Sequence, residues 1–70
     1  MKAKVVSVGD NLPGGWVLLT LAIQTGPQIW APHTAPVQLP GRWRPRPHDE
    51  IEVEYVDPED YTKGFYITKH

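Results

Sequence analysis

Arg42, Arg44 and Arg46 alternate with Trp43, Pro45 and Pro47 in the middle of the chain, and no other pattern in it carries as much chemistry. In an extended backbone successive side chains point to opposite sides, so the three guanidinium groups project along one side and the rings along the other. Such a cationic comb suits an anionic partner, and Arg and Trp are the side chains most enriched at interface hot spots. Two readings fit. Either the comb contacts a partner, or Trp43 caps the core while the arginines pair with neighbouring acids in surface ion pairs worth about 0–1 kcal/mol each. The comb runs directly into a run of acids, and seven of the eight acidic residues fall between Asp49 and Asp60. On a strand Glu50, Glu52 and Glu54 share one face with carboxylates about 6.6 Å apart, close to the phosphate spacing along one nucleic-acid strand. That face either occupies a basic groove built for nucleic acid or is a solvated face whose like charges discourage edge-to-edge aggregation. The candidate partner-binding residues are Arg42, Trp43, Arg44, Arg46, Trp30, Glu52 and Glu54, because opposed charge patches set partner choice and orientation.

Catalysis has little to work with. Ser7 is the only serine, cysteine is absent, and His33, His48 and His70 are far apart in sequence. No nucleophile has a base beside it, so the expectation is a protein that is not an enzyme and uses no cofactor. His48, Asp49 and Glu50 are potential metal ligands by type, but neighbouring strand residues point to opposite faces, which argues against a metal site. A length of 70 residues allows one domain, residues 1–70, with a small core, and without cysteine its stability comes from packing rather than disulfides. The formal charge of −1 argues against sequence-independent duplex binding, which relies on neutralising many phosphates. No apolar run approaches a membrane span, and the start of the chain lacks the apolar stretch of a signal peptide. A monomer in the cytoplasm, without a membrane partner, is expected.

The elements that must hold the comb read as strands. Residues 4–8 are short and β-branched, and the run from Gly9 to Gly15, rich in glycine, reads as the loop that stops them. Residues 16–23 form a central strand buried on two faces, with Val17, Leu19, Leu21 and Ile23 on one and Trp16, Leu18, Thr20 and Ala22 on the other. A third strand covers residues 28–31 and carries Trp30. From there residues 32–47 hold Pro32, Pro36, Pro40, Pro45 and Pro47, each fixed near φ −65° and lacking an N–H, which reads as a long, stiff surface loop. Ile51, Val53 and Tyr55 alternate with Glu50, Glu52 and Glu54 as a half-buried fourth strand. Asp57 to Asp60 form a turn, and residues 64–68 close the chain with Phe65 and Ile67 facing inward. The fold class is therefore all-β: a small five-stranded antiparallel barrel or curved sheet with a long Pro-rich loop. Its expected core is Val17, Leu19, Leu21, Ile23, Ile51, Val53, Tyr55, Phe65 and Ile67.

Two resemblances bear on this reading. The segment from Pro47 to Tyr55 is similar to the turn and strand of SH3-like and OB-like barrels, which serve as protein adaptors and nucleic-acid binders alike. In its size, its opening Met1-Lys2-Ala3-Lys4-Val5-Val6 strand, its Trp- and Pro-rich middle and its lack of catalytic groups, the chain resembles the small phage-encoded RNA polymerase-binding transcription regulators, the Xanthomonas-phage inhibitor and antiterminator kind. That resemblance implies binding to the largest subunit of bacterial RNA polymerase in the host cytoplasm, inhibition of initiation by interfering with promoter opening, and antitermination together with an elongation factor. The alternative is a small nucleic-acid-binding barrel that stacks bases on Tyr66 and Trp43 beside Lys69.

Overall fold

The computed structural model describes residues 1–70. Five strands, β1 (Lys2–Leu12), β2 (Trp16–Gly26), β3 (Ile29–Gln38), β4 (Glu50–Tyr55) and β5 (Phe65–Lys69), close into a barrel in the order β1-β2-β3-β5-β4. A single 3₁₀ turn, Tyr61–Lys63, precedes β5, and no helix is long and apolar enough to cross a membrane. Four of the five pairings are antiparallel. The fifth, β3 with β5, is parallel and joins only Val37 to Phe65 and Gln38 to Tyr66, so the expectation of a wholly antiparallel sheet is corrected at the seam that closes the barrel.

The alternation of apolar residues puts Val17, Leu19, Leu21 and Ile23 of β2 inside, with Ile51 and Val53 of β4 and Phe65 of β5. Ala3, Val5 and Val37 complete the core, while Tyr55 and Ile67, expected inside, pack against it half-buried. β1 runs well past Val8. Two register shifts, between Val5 and Ser7 and between Val8 and Asn11, let the strand continue through Gly9, whose missing side chain matters because a Cβ there would lie 2.9 Å from the Leu18 carbonyl oxygen. Bulges are the usual way an antiparallel strand absorbs an extra residue, and the turn proper shrinks to Pro13, Gly14 and Gly15.

β3 is the larger correction. Pro32 and Pro36, read as loop, lie within a ten-residue strand. The Leu39 N–H donates to the Gly15 carbonyl at 3.0 Å, so, two residues at a time along the β2–β3 register, the odd-numbered residues of β3 face β2 and the even-numbered ones face away. Pro32 and Pro36 are even and give up no bond to β2. They lie on the far edge of β3, which β5 covers only at Val37 and Gln38, and there a missing N–H blunts the edge against a foreign strand. The Pro-rich loop is thus confined to residues 39–49.

Candidate functional site

The loop of residues 39–49 is held by its rings and presents its charges. Pro45 is buried and Trp43 half-buried, while Arg42, Arg44 and Arg46 between them are exposed. Trp43 packs on the core cluster, its ring centroid 4.9 Å from that of His70, and its backbone N–H donates to the Pro40 carbonyl at 3.2 Å. The far end of the loop is sewn to β1: the His48 N–H donates to the Val5 carbonyl at 2.7 Å, and the Val5 N–H donates to the Asp49 carbonyl at 2.9 Å. Asp49 also accepts the Arg46 backbone N–H on Oδ2 at 2.9 Å. His48 adopts φ 76° at this junction, a left-handed conformation uncommon outside glycine that the two flanking backbone bonds hold in place.

None of the three guanidinium groups has a carboxylate within 4.0 Å. The ion pairs of the molecule are Lys4 with Glu50 at 3.7 Å, Lys63 with Asp57 at 3.6 Å, and the Met1 ammonium with Glu54 at 3.3 Å. Arg44 Nη1 donates to the Trp43 carbonyl at 3.1 Å, a contact that orients the side chain without neutralising it. The acidic strand is balanced from elsewhere, since β4 lies beside β1 and β5 and its register sets Glu50 opposite Lys4 and Glu52 opposite both Lys2 and Lys69. Cross-strand pairs of opposite charge stabilise a sheet modestly.

Of the other candidates, Trp30 and Glu52 line one cleft and Glu54 lies outside it. Trp30 stands on the outer face of β3 with Lys4 Nζ 4.6 Å from its ring centroid, a cation–π contact. It shares with Gln24, Lys2, Glu50, Glu52, Lys69 and His70 a cleft of about 390 Å³. Glu54 is occupied by the Met1 ammonium, which also donates to the Val53 carbonyl at 2.8 Å. Tyr66 is exposed on β5 opposite Gln38 and Glu54. His48, Asp49 and Glu50 do not converge with a further ligand into a metal-binding group.

The second face of β2, expected to be buried, is instead half-exposed. The outer face of β2 and β3 is built from the cross-strand pairs Trp16 with Gln38, Leu18 with Pro36, Thr20 with Thr34, Ala22 with Pro32, and Gln24 with Trp30. The Thr20 and Thr34 hydroxyls share a hydrogen bond at 3.0 Å in the middle of it. No Asp, Glu, Lys or Arg occurs in residues 11–41, so this face is uncharged from end to end with a tryptophan at either corner. That silence in the charge pattern was the available signal. Comparison with known proteins adds no relative: no family model, no curated protein and no solved structure matches this chain.

Proposed function

We propose that the chain is a non-enzymatic transcription regulator that binds bacterial RNA polymerase, inhibiting initiation and promoting antitermination, with the largest subunit as its contact. The observation that carries this reading is the comb: three exposed guanidinium groups without carboxylate partners, on a loop fixed from below by Pro45 and Trp43. A loop whose backbone is already anchored loses little freedom on binding, and an acidic patch with an apolar border on a large assembly complements its charges. The resemblance to phage regulators supplies the identity of that assembly. A protein is favoured over nucleic acid because a net charge of −1 gives no broadly basic surface for neutralising many phosphates.

A second reading rests on topology. The strand order β1-β2-β3-β5-β4 with a parallel β3–β5 seam supports reading the barrel as OB-like, a fold whose β2–β3 face binds oligonucleotides in many proteins, and here that face bears Trp16 and Trp30. One pair of measurements separates the two. A nuclease-treated pull-down from bacterial lysate should recover polymerase subunits in stoichiometric amount, and the Arg42→Ala/Arg44→Ala/Arg46→Ala variant should lose them. Tight oligonucleotide binding that falls linearly on a log–log salt plot, with no polymerase recovered, decides for the nucleic-acid barrel.

A further inference from the structure

We propose that the turn between β4 and β5 is a second docking surface, of opposite sign to the comb, that receives an arginine of a basic protein segment against the exposed ring of Tyr61. Three rings stack there from the core outward. Phe65, 3 % exposed, lies 4.9 Å from Tyr55, which lies 4.5 Å from Tyr61, with interplanar angles near 30° in both pairs. Tyr61 ends the column and is 66 % exposed, so one face of its ring is spent on Tyr55 and the other is open to solvent.

The ring is fixed although it is exposed. It occupies the first position of the 3₁₀ turn, where Asp60 Oδ1 accepts the Thr62 N–H at 3.1 Å and the Thr62 hydroxyl, and the Lys63 N–H donates to the Asp60 carbonyl at 3.2 Å. A large, rigid aromatic surface that gives up few conformations on contact is what interface anchors are made of.

Charge selects the occupant. Asp57, Glu59 and Asp60 stand on the same turn, and the only cation in it, Lys63, is tied to Asp57 at 3.6 Å. Glu59 has no cation within 4.0 Å. A phosphate is repelled here, and a neutral apolar group would cover the ring while leaving the carboxylates unanswered. A guanidinium meets both demands, because its flat face stacks on an aromatic ring and its edge donates in pairs to a carboxylate. Lysine offers a point charge without the plane. This surface stands independently of the polymerase reading, which uses the comb.

The test uses the whole chain, isotopically labelled, titrated by NMR with a blocked hexapeptide containing two arginines and with its twin carrying neutral citrulline in their place. The arginine peptide should shift the Glu59, Tyr61 and Thr62 amides and the Tyr55 ring signals in a saturable way. The citrulline twin should bind about five- to tenfold more weakly, Tyr61→Ala should weaken the arginine peptide by a similar factor, and Tyr61→Phe should keep it. Glu59→Gln should lose about threefold. Tyr61 contributes nothing to the buried core, and the dispersed spectrum of each variant checks the fold directly. Equal binding of the two peptides, shifts indifferent to Tyr61→Ala, or no saturation would overturn the proposal. So would shifts at Tyr61 that grow with protein concentration alone and vanish in the triple-arginine variant, because the occupant would then be the comb of a second copy.

Discussion

Removing the Trp43 indole should weaken the fold, whereas removing the three neighbouring guanidinium groups should not. The indole packs on the core cluster and against His70, so Trp43→Ala leaves a partial cavity and should cost about 2 kcal/mol, below the 3–5 kcal/mol typical of a fully buried aromatic. The arginines meet no carboxylate, and replacing all three should change stability by no more than about 0.5 kcal/mol while abolishing partner binding. Urea melts of the two variants check this; equal losses of stability would mean that the arginines brace the loop. At Asp60 the hydrogen bond from the Thr62 hydroxyl, then that from the Thr62 N–H, with help from Lys63, holds the carboxyl below the ordinary aspartate range. A pKa lowered by folding contributes stability above the unfolded value that is lost as pH falls through the folded one, so the 3₁₀ turn should loosen only in acid beyond the usual aspartate titration. Thr62→Val should bring the Asp60 titration back toward the ordinary range in a carboxyl-detected NMR experiment. An unmoved titration would assign the shift to something other than that hydroxyl.

Barrel closure depends on one residue between elements. Gly64 adopts φ 85°, and a Cβ there would sit 2.1 Å from the Pro36 carbonyl oxygen, at the start of the parallel seam between β3 and β5. Gly64→Ala combines a left-handed backbone with a collision against main chain and should cost at least about 2 kcal/mol, seen as a lowered melting midpoint; a neutral result would mean that the seam is looser than its register implies. The same seam marks where sequence patterns stop being informative. Alternation identified β4 and the inner face of β2, because a half-buried strand displays its two faces residue by residue. It missed the far half of β1, where bulges let Gly9, Asp10 and Asn11 stay in a strand, and most of β3, where Pro32 and Pro36 were read as breakers although they sit at outward positions that cost no ladder bond. The alternation of ring and charge in the comb was legible for the same local reason as β4. That its arginines stay unpaired was not, since it follows from β1 bringing Lys2 and Lys4 to the acidic strand, a pairing between distant parts of the chain.

At the scale of the whole molecule, ten buried residues hold together a surface on which charge is segregated: a cationic loop, an acidic turn, a balanced β1–β4–β5 face and an uncharged β2–β3 face. So small a core leaves little reserve. Leu21, fully buried, should cost about 2–5 kcal/mol as Leu21→Ala, a large part of the 5–15 kcal/mol of a typical domain, and a loss below about 0.5 kcal/mol in a urea melt would reject its central place. The segregated charge makes a prediction about rates. If the comb meets an acidic patch on polymerase, its three charges act at a distance, so added salt should slow association steeply and change dissociation little. The triple-arginine variant should flatten that dependence, and Trp43→Phe, which keeps a ring on the core, should leave it intact. For a single-stranded nucleic acid held by the same residues, the equilibrium slope of log affinity against log salt should approach about −2, the value for three phosphates neutralised, and should appear with an oligonucleotide alone. Stopped-flow association with purified polymerase at low and high salt, beside an oligonucleotide titration over the same range, tells these apart: steep salt dependence confined to the polymerase on-rate supports protein docking, and an association rate indifferent to salt removes the comb from the interface.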